Sequence, residues 1–283
     1  MRVEPDRDGR DARVGSGAMA SIALEPASSR SYAELAEIFN AGYEGYYTPF
    51  NLEEEAFRFM SRIWDDDLDA SRVALVGGEP AGIAKLAIRG ERGWIAGIGV
   101  AVPHRGKGVG EALMRGVIEQ ARSRGLREVW LEVLVQNEPA IRLYEKLGFE
   151  RVRDLEVWTL DAVSGDGGSA HRVPLEQAQA RIGRERTARE PWQRADESVA
   201  NFDEVEALQS EGGVVVFRSK GGQTSLLQGV AAGEPAAREL VQALGDAMPL
   251  QWLNGPEGDP FNAAIASLGG VQAHRQHELL LSL

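Results

Sequence analysis

The chain has 283 residues, of which 43% are hydrophobic and 26% are charged. This length allows two domains of ordinary size, and the composition is too apolar for a disordered chain. The formal net charge of -12 disfavours nucleic acid as a partner, because binding to phosphates requires a cationic surface. The sequence contains no cysteine, which excludes disulfides, thiolate metal sites and cysteine nucleophiles.

The sequence predicts neither a metal site nor a membrane span. Its four histidines, at positions 104, 171, 274 and 277, are scattered, so we expect no metal-ligand set. No apolar run reaches the length of a bilayer span, and the first residues are charged rather than signal-like. We therefore expect a cytoplasmic protein.

The first half of the chain reads as a strand, two helices and three further strands. Residues 1–20 are polar and Gly-rich, which predicts a disordered tail, with Met19 as an alternative start. The first strand begins near Ser21. Helices are predicted over residues 32–41 and 52–63, and strands over residues 72–76, 81–88 and 94–102.

A glycine-rich loop, R-G-K-G-V-G from Arg105 to Gly110, leads from the last of these strands into an amphipathic stretch over residues 111–124. Its three glycines let the backbone approach an anion, and the free N–H groups of a helix's first turn favour negative charge. The charges of Arg105 and Lys107 add to this preference. The loop predicts a phosphate site, with a plain strand-to-helix turn as the alternative.

Residues 131–149 read as a strand followed by a helix. Asn137 caps the helix, and apolar residues recur at helical spacing until Gly148 ends it. Two short strands are predicted next, over residues 149–151 and 155–160.

Together, these motifs resemble the GCN5-related N-acetyltransferase (GNAT) superfamily. Arg105, Gly108 and Gly110 match its phosphate signature. The strand L-E-V at residues 131–133 is similar to the subfamily that acetylates ribosomal-protein N-termini. The pattern of the last helix of the superfamily is matched by Asn137, Ala140, Leu143, Tyr144, Gly148 and Phe149.

The resemblance covers roughly residues 21–160 and implies the fold of the superfamily. That fold is an α/β architecture with a mixed, twisted sheet flanked by helices. We therefore expect a catalytic domain over residues 21–161.

The resemblance also implies acetyl-CoA as a co-substrate, with direct transfer of its acetyl group to a primary amine in a ternary complex. The glycine loop would hold the pyrophosphate, and the strand before it would pair with the pantetheine arm. Asn137 would contact the same arm or serve only as a helix cap. The implied cofactor-binding residues are Ile98, Gly99, Val100, Arg105, Gly106, Lys107, Gly108, Val109, Gly110, Glu111 and Asn137.

Two side chains are implied as proton carriers. Glu132 would take a proton from the incoming ammonium, directly or through water, because a protonated amine is not a nucleophile. Tyr144 would give its proton to the departing thiolate. The alternatives are a solvated glutamate on the strand and a core tyrosine on the apolar helix face.

The acceptor would be a small-molecule or peptide amine. The connection between the first two helices carries Tyr43, Tyr46, Tyr47 and Phe50, and in this superfamily that region lines the acceptor site. Packing of these rings onto the sheet is the alternative. A protein N-terminus, a lysine, a polyamine, an antibiotic and a thiol-sugar precursor all remain open, as does the oligomeric state.

The second half begins after a Gly- and Ser-rich stretch over residues 162–171, which predicts a flexible linker. Residues 172–206 look largely helical. The remaining pattern repeats the back half of the first domain. Strands are predicted over residues 213–218, 224–231, 249–253 and 277–283, and helices over residues 235–245 and 261–269.

This repetition predicts a degenerate GNAT-like domain over residues 172–283, so that two such domains lie in tandem. An unrelated α+β domain is the alternative. We expect this half not to bind acetyl-CoA, because Glu234 and Pro235 stand where the phosphate loop would be. Ile265 stands in the place of the tyrosine.

Two functions of other classes are the alternatives to acetyl transfer. An acetyl-CoA sensor without turnover is the main alternative, and the presence of Tyr144 and Glu132 speaks against it. A Rossmann-type nucleotide site is disfavoured, because the loop has G-x-G-x-G in place of G-x-G-x-x-G.

Overall fold

The computed structural model describes residues 21–47, 51–161, 165, 167–244 and 249–283. The predicted tail, Phe50 and most of the first part of the predicted linker lie outside these residues. Every strand in the described part of the chain belongs to one mixed sheet of twelve strands. None of the described helices is long and apolar enough to cross a bilayer.

The first half follows the predicted order of elements. Helix α1 begins with a capping box between Ser31 and Glu34, as its serine cap predicts. The helices are α1 (Tyr32–Gly42), α2 (Glu54–Ile63), α3 (Val109–Ser123) and α4 (Glu138–Lys146). The strands are β1 (Ile22–Pro26), β2 (Arg72–Val76), β3 (Glu79–Arg89), β4 (Arg92–Val100), β5 (Glu128–Leu134) and β6 (Glu150–Leu160).

The prediction of two short strands near 149–151 and 155–160 is wrong, because β6 is continuous from Glu150 to Leu160. The polar residue Asp154, which lies between the two predicted strands, is buried with 2% of its side chain exposed. Its carboxylate accepts hydrogen bonds from His277 and Arg275 at 2.8 Å each. Partners so distant in sequence keep a buried carboxylate inside a strand.

The second half contains the predicted strands and helices after residue 206. The helices are α5 (Leu175–Glu185), α6 (Asp196–Ala200), α7 (Glu234–Gln242) and α8 (Pro260–Ser267). The strands are β7 (His171–Arg172), β8 (Glu206–Ser210), β9 (Gly213–Lys220), β10 (Gln223–Ala231), β11 (Leu250–Pro256) and β12 (Val271–Ser282).

The prediction that residues 172–206 are largely helical is only partly correct. Helix α5 ends at Glu185, and an irregular connection with a single 3-10 turn at Trp192–Arg194 follows before the short α6. Pro191 disfavours a helix interior, and Trp192 is 2% exposed because it packs against the first half of the chain. Tertiary packing thus replaces the helix that the local pattern favoured.

The strand order shows how the two halves are joined. It runs β1-β2-β3-β4-β5-β12-β6-β11-β10-β9-β8-β7. Each half therefore places its last strand beside the penultimate strand of the other half. The last strands β6 and β12 pair with each other at the centre, and all three pairings are antiparallel. The arrangement is a mutual exchange of strands between the two halves.

Both halves also share a divergence between two parallel strands. Strands β4 and β5 pair only at residues 92–94 and 128–130. Strands β10 and β11 likewise pair only at residues 224–226 and 250–252. Helices α3 and α4 bury one face of the first half of the sheet, and α1 and α2 bury the other. The result is two layered α/β units built on one sheet.

The strand exchange makes the predicted boundary near residue 162 testable. We expect a fragment of residues 21–161 to lack a cooperative thermal transition or to self-associate, because β5 and β6 lose the strand between them and expose unpaired edges. Circular dichroism melting and size-exclusion chromatography measure this, with the full chain as the control. A monomeric fragment that melts like the full chain would contradict the expectation.

Candidate active site

A cavity of about 740 Å³ opens where β4 and β5 diverge. Its lining includes the β4 residues from Gly97 to Val100 and the β5 residues from Leu131 to Val133. The side chains of Leu131 and Val133 pack under α3 and α4, so Glu132 points to the opposite face of the sheet. Because the strands separate here, residues from both faces reach one cavity.

The glycine loop forms one end of the cavity. Gly106 and Gly108 have φ values of 71° and 84°, which favour glycine, and Gly108 is the N-cap of α3. No side chain caps this end of the helix, so its positive dipole faces the cavity mouth. Gly106, Gly108, Gly110 and Glu111 all line the cavity.

Two residues predicted to bind the cofactor do not line the cavity, namely Lys107 and Val109. Val109 is 1% exposed and belongs to the core beneath the loop. Lys107 is exposed. The other nine predicted cofactor residues are brought together at the cavity wall.

Arg105 lines the cavity but also has a structural use that the motif did not suggest. Its Nε donates to the Val100 carbonyl at 2.8 Å. Its Nη2 donates to the carbonyls of Gly42 at 3.0 Å and Glu44 at 2.7 Å. The guanidinium therefore ties the end of α1 to the end of β4 and fixes the width of the opening.

Glu132 is not a solvated strand residue. Its Oε2 accepts hydrogen bonds from Trp94 Nε1 at 2.8 Å and Gln193 Nε2 at 3.2 Å. Its Oε1 is buried and has no hydrogen-bond partner among the described residues. Burial, and next the nearby Glu278 carboxylate, raise the pKa of Glu132 to about 7. The carboxylate is thus able to gain or lose a proton near neutral pH.

Tyr144 belongs to both the core and the cavity. It is 5% exposed, and its ring centre lies 5.9 Å from that of Phe149. It also lines the cavity, and its hydroxyl makes no hydrogen bond to any residue that the structure describes. Burial raises the pKa of Tyr144 well above its ordinary value, so the hydroxyl keeps its proton.

The tyrosines after α1 line the cavity as well. Tyr43 stacks on Phe39 with ring centres 4.4 Å apart and hydrogen-bonds with the backbone of Ile98. This bond engages one of the backbone groups implied for the pantetheine arm. The hydroxyl of Tyr47 donates to the Gln136 carbonyl at 3.0 Å.

Asn137 is a helix cap, one of its two expected roles, and it also lies at the cavity. Its side chain caps α4 by accepting from the Ala140 N–H at 3.4 Å. It also hydrogen-bonds with Tyr46 and lines the cavity. The aromatic connection and the β5–α4 connection are thereby joined across the opening.

Three residues that touch or face Glu132 were missed by sequence reasoning: Trp94, Gln193 and Glu278. Trp94 stacks on Trp192 with ring centres 5.9 Å apart and planes 13° apart. Glu278 faces Glu132 across the β5–β12 pair. The one sequence signal was a lone glutamate before the apolar run L-L-L at the end of the chain.

The second half carries a smaller cavity of about 360 Å³ near Gly229 and Pro260. The strand pairing matches Trp252 to Trp130. After a register shift beyond Trp252, Gly255 lies opposite Glu156 in the second half, as Glu132 lies opposite Glu278 in the first. At the start of α7, Glu234 pairs with Arg238 at 3.4 Å. The expectation that this half does not bind acetyl-CoA stays a prediction.

Comparison with known proteins agrees with this geometry. Residues 32–149 match the family model of the acetyltransferase (GNAT) family. The chain is 42% identical over 88 residues to a streptothricin acetyltransferase from Streptomyces lavendulae, a match that covers 30% of this chain and 47% of that protein. It is 28% identical over 120 residues to an N-alpha-acetyltransferase from Saccharolobus solfataricus, with 42% and 72% covered. The similarity to N-terminal acetyltransferases is thus confirmed.

The chain spans about half the length of several curated relatives that it matches. The whole fold is similar to a tandem GNAT protein from the clavulanic acid biosynthesis pathway, with a TM-score of 0.63 at 13% identity. That likeness covers 93% of this chain and 98% of the other. Residues 32–149 therefore form a domain of the GNAT acetyltransferase family, in a chain that has the fold of a tandem GNAT protein.

Proposed function

We propose that the chain is an acetyl-CoA-dependent N-acetyltransferase that moves an acetyl group to a primary amine by direct attack in a ternary complex. The observation that carries this proposal is the pairing, in one cavity, of a titratable carboxylate on Glu132 with a protonated hydroxyl on Tyr144. Two such groups are what amine deprotonation and thiolate departure require.

The residues at the cavity fit acetyl-CoA. The uncapped start of α3 and the two glycines with positive φ leave backbone N–H groups accessible to a pyrophosphate. The strand edge at residues 98–100 would hold the pantetheine arm together with Asn137. When bound, acetyl-CoA supplies an acetyl thioester that a neutral amine can attack.

Glu132 would take the proton from the ammonium form of the acceptor. A carboxyl group with its ordinary pKa of 4.5 would be a weak base, whereas a pKa of about 7 matches neutral pH. The unpartnered Oε1 is the atom available for this proton or for a bridging water. The tyrosines 43, 46 and 47 would form the acceptor side of the cavity.

Tyr144 would stabilise the sulfur as it departs. A free thiol has a pKa near 8.5 and a phenol near 10, and burial raises the pKa of Tyr144 further. The Tyr144 hydroxyl would therefore donate a hydrogen bond to the sulfur as negative charge develops on it. It would transfer its proton only when that charge is nearly complete.

The glycine loop gives a first prediction with a matched control. Gly108→Ala and Gly125→Ala both place a methyl group at a positive φ, at opposite ends of α3, with no atom closer than 4.0 Å. Each should cost about 1 kcal/mol of folding free energy. Only Gly108→Ala should weaken acetyl-CoA binding, by roughly tenfold, because only that residue lines the cavity.

Isothermal titration with acetyl-CoA and chemical denaturation measure the two effects separately. Equal affinity in the Gly108 and Gly125 variants would remove the phosphate assignment of the loop.

A second prediction concerns Tyr144→Phe. With the best acceptor from a panel of amines, turnover should fall by about tenfold or more, while the affinity for acetyl-CoA changes little. The fold should tolerate the change, because the hydroxyl has no partner among the described residues. Tyr32→Phe, whose ring packs on Phe57 away from the cavity, is the control.

Thiol release reports turnover in this assay. Unchanged turnover in the Phe variant would exclude Tyr144 as the proton donor, and no thiol release with any amine would favour the acetyl-CoA sensor.

A third prediction concerns the pH profile. The kcat/KM of the native chain should rise with pH through about 7, because Glu132 must lose its proton before it can accept one. Glu132→Gln should remove this acidic limb. Glu145→Gln, an exposed carboxylate on α4, is the control and should keep it. If the limb persists without Glu132, the base is a water chain or the ionisation of the amine itself.

A further inference from the structure

The surroundings of Glu132 come largely from the second half of the chain. Its strand β5 pairs with β4 on one side and with β12 on the other. The connection between α5 and α6 packs beside Glu132, and the Nε2 of Gln193 in this connection donates to Glu132 Oε2 at 3.2 Å. Both β12 and this connection lie beyond the predicted domain boundary.

The connection that carries Gln193 is firmly held. Trp192 stacks on Trp94, and its Nε1 donates to the Trp64 carbonyl at 2.9 Å. The Arg89 guanidinium lies 4.3 Å from the Trp192 ring centre and donates to the Trp192 carbonyl at 3.2 Å. A side chain on such an anchored turn has little freedom to leave its partner.

The side chain of Gln193 makes no other hydrogen bond within the part of the chain that the structure describes. Its Oε1 is buried and has no hydrogen-bond partner within the described residues, while its Nε2 donates to Glu132. An amide that leaves one buried acceptor unpaired costs stability. Its hydrogen bond to the Glu132 carboxylate is therefore the feature of Gln193 that needs explanation.

Glu278 is the second group that acts on Glu132. It lies directly across the β5–β12 pair from Glu132 and is 1% exposed. Its carboxylate pairs with Arg153 at 2.6 Å and with Arg189 at 3.3 Å. The Arg189 guanidinium lies 3.7 Å from the centre of the Trp130 ring, which fixes it over the same strand.

We infer that Gln193 and Glu278 are positioning residues for Glu132, so that the second half of the chain orients the base of the first half and sets its proton affinity. This inference rests on the proposed function. It assigns a role to the degenerate half that requires no ligand in its own cavity.

The two residues act on the proton of Glu132 in opposite directions. The negative charge of Glu278 opposes ionisation of Glu132, whereas the hydrogen bond from Gln193 favours it. Arg189 also favours ionisation, and Arg153 acts through its pair with Glu278. Trp94, the neighbour on β4, carries no charge and donates a hydrogen bond.

These opposite effects on the ionisation of Glu132 can be measured by NMR. The Trp94 indole N–H donates to Glu132 at 2.8 Å, so its NMR resonance reports the protonation of that carboxylate without any substrate. The component of its pH titration that is absent from Glu132→Gln belongs to Glu132. In the native chain its midpoint should lie at about 7.

Glu278→Gln should lower this midpoint by about one pH unit or more, because it removes the repelling charge and releases two guanidinium groups. Gln193→Met should raise it, because the charged form loses a hydrogen bond while the volume is kept. The acidic limb of kcat/KM should follow each midpoint. Asp154→Asn is the control. Asp154 is about as buried as Glu278 but lies on the other face of the sheet, so its loss should leave the midpoint nearly unchanged.

Opposite shifts in the two variants would support the inference, since general loosening of the fold moves both midpoints the same way. Unchanged midpoints, or shifts of one sign, would overturn it. If Glu278→Gln does not fold, the test rests on Gln193→Met alone, and a midpoint that fails to rise in that variant would overturn the inference. If the two titration midpoints move in opposite directions but the chain acetylates no amine, the positioning role of Gln193 and Glu278 stands and the proposed function is refuted.

Discussion

The antiparallel pairing of β6 with β12 is the contact on which the rest of the molecule depends. Each of these strands is the last of its half, and each is hydrogen-bonded on its other side to the opposite half. Neither half has a complete sheet without the other. The divergence of β4 from β5, and hence the cavity, is supported by a strand from beyond residue 270.

The burial of Glu132 beside Glu278 lowers the stability of the folded chain at neutral and higher pH. A carboxyl group whose pKa rises from 4.5 to about 7 on folding destabilises the folded state as pH increases through that interval, because the unfolded chain loses its proton first. The penalty above neutral pH is on the order of 3 kcal/mol.

Local features of the site could be predicted from sequence, because the residues that cause them are neighbours in the chain. Arg105 to Gly110 carry the strand-to-helix turn within their own glycines, and Asn137 caps the helix that follows it. The strands and helices of the first half were recognised by their periodicity for the same reason. The family motifs then identified Glu132 and Tyr144, which the fold brings to one cavity.

What could not be predicted depends on contacts between distant residues. The continuity of β6 depends on Arg275 and His277, which hydrogen-bond to Asp154 from another strand. The irregular connection around Trp192 replaces a helix because of Trp94, roughly a hundred residues earlier in the sequence. No local pattern contains such pairings, and for this reason Gln193 and Glu278 were not recognised beside Glu132.

The exchange of central strands also bears on how the chain acquires its native state. Pairing residues 128–134 with residues 276–282 closes a very long loop, and contacts of such sequence separation form slowly. Until β12 pairs with β5, that edge of β5 is exposed to solvent. The local turns and helices of the first half are thus expected to form early and the surroundings of Glu132 last, so that the cavity beside Glu132 is completed only at the end of folding.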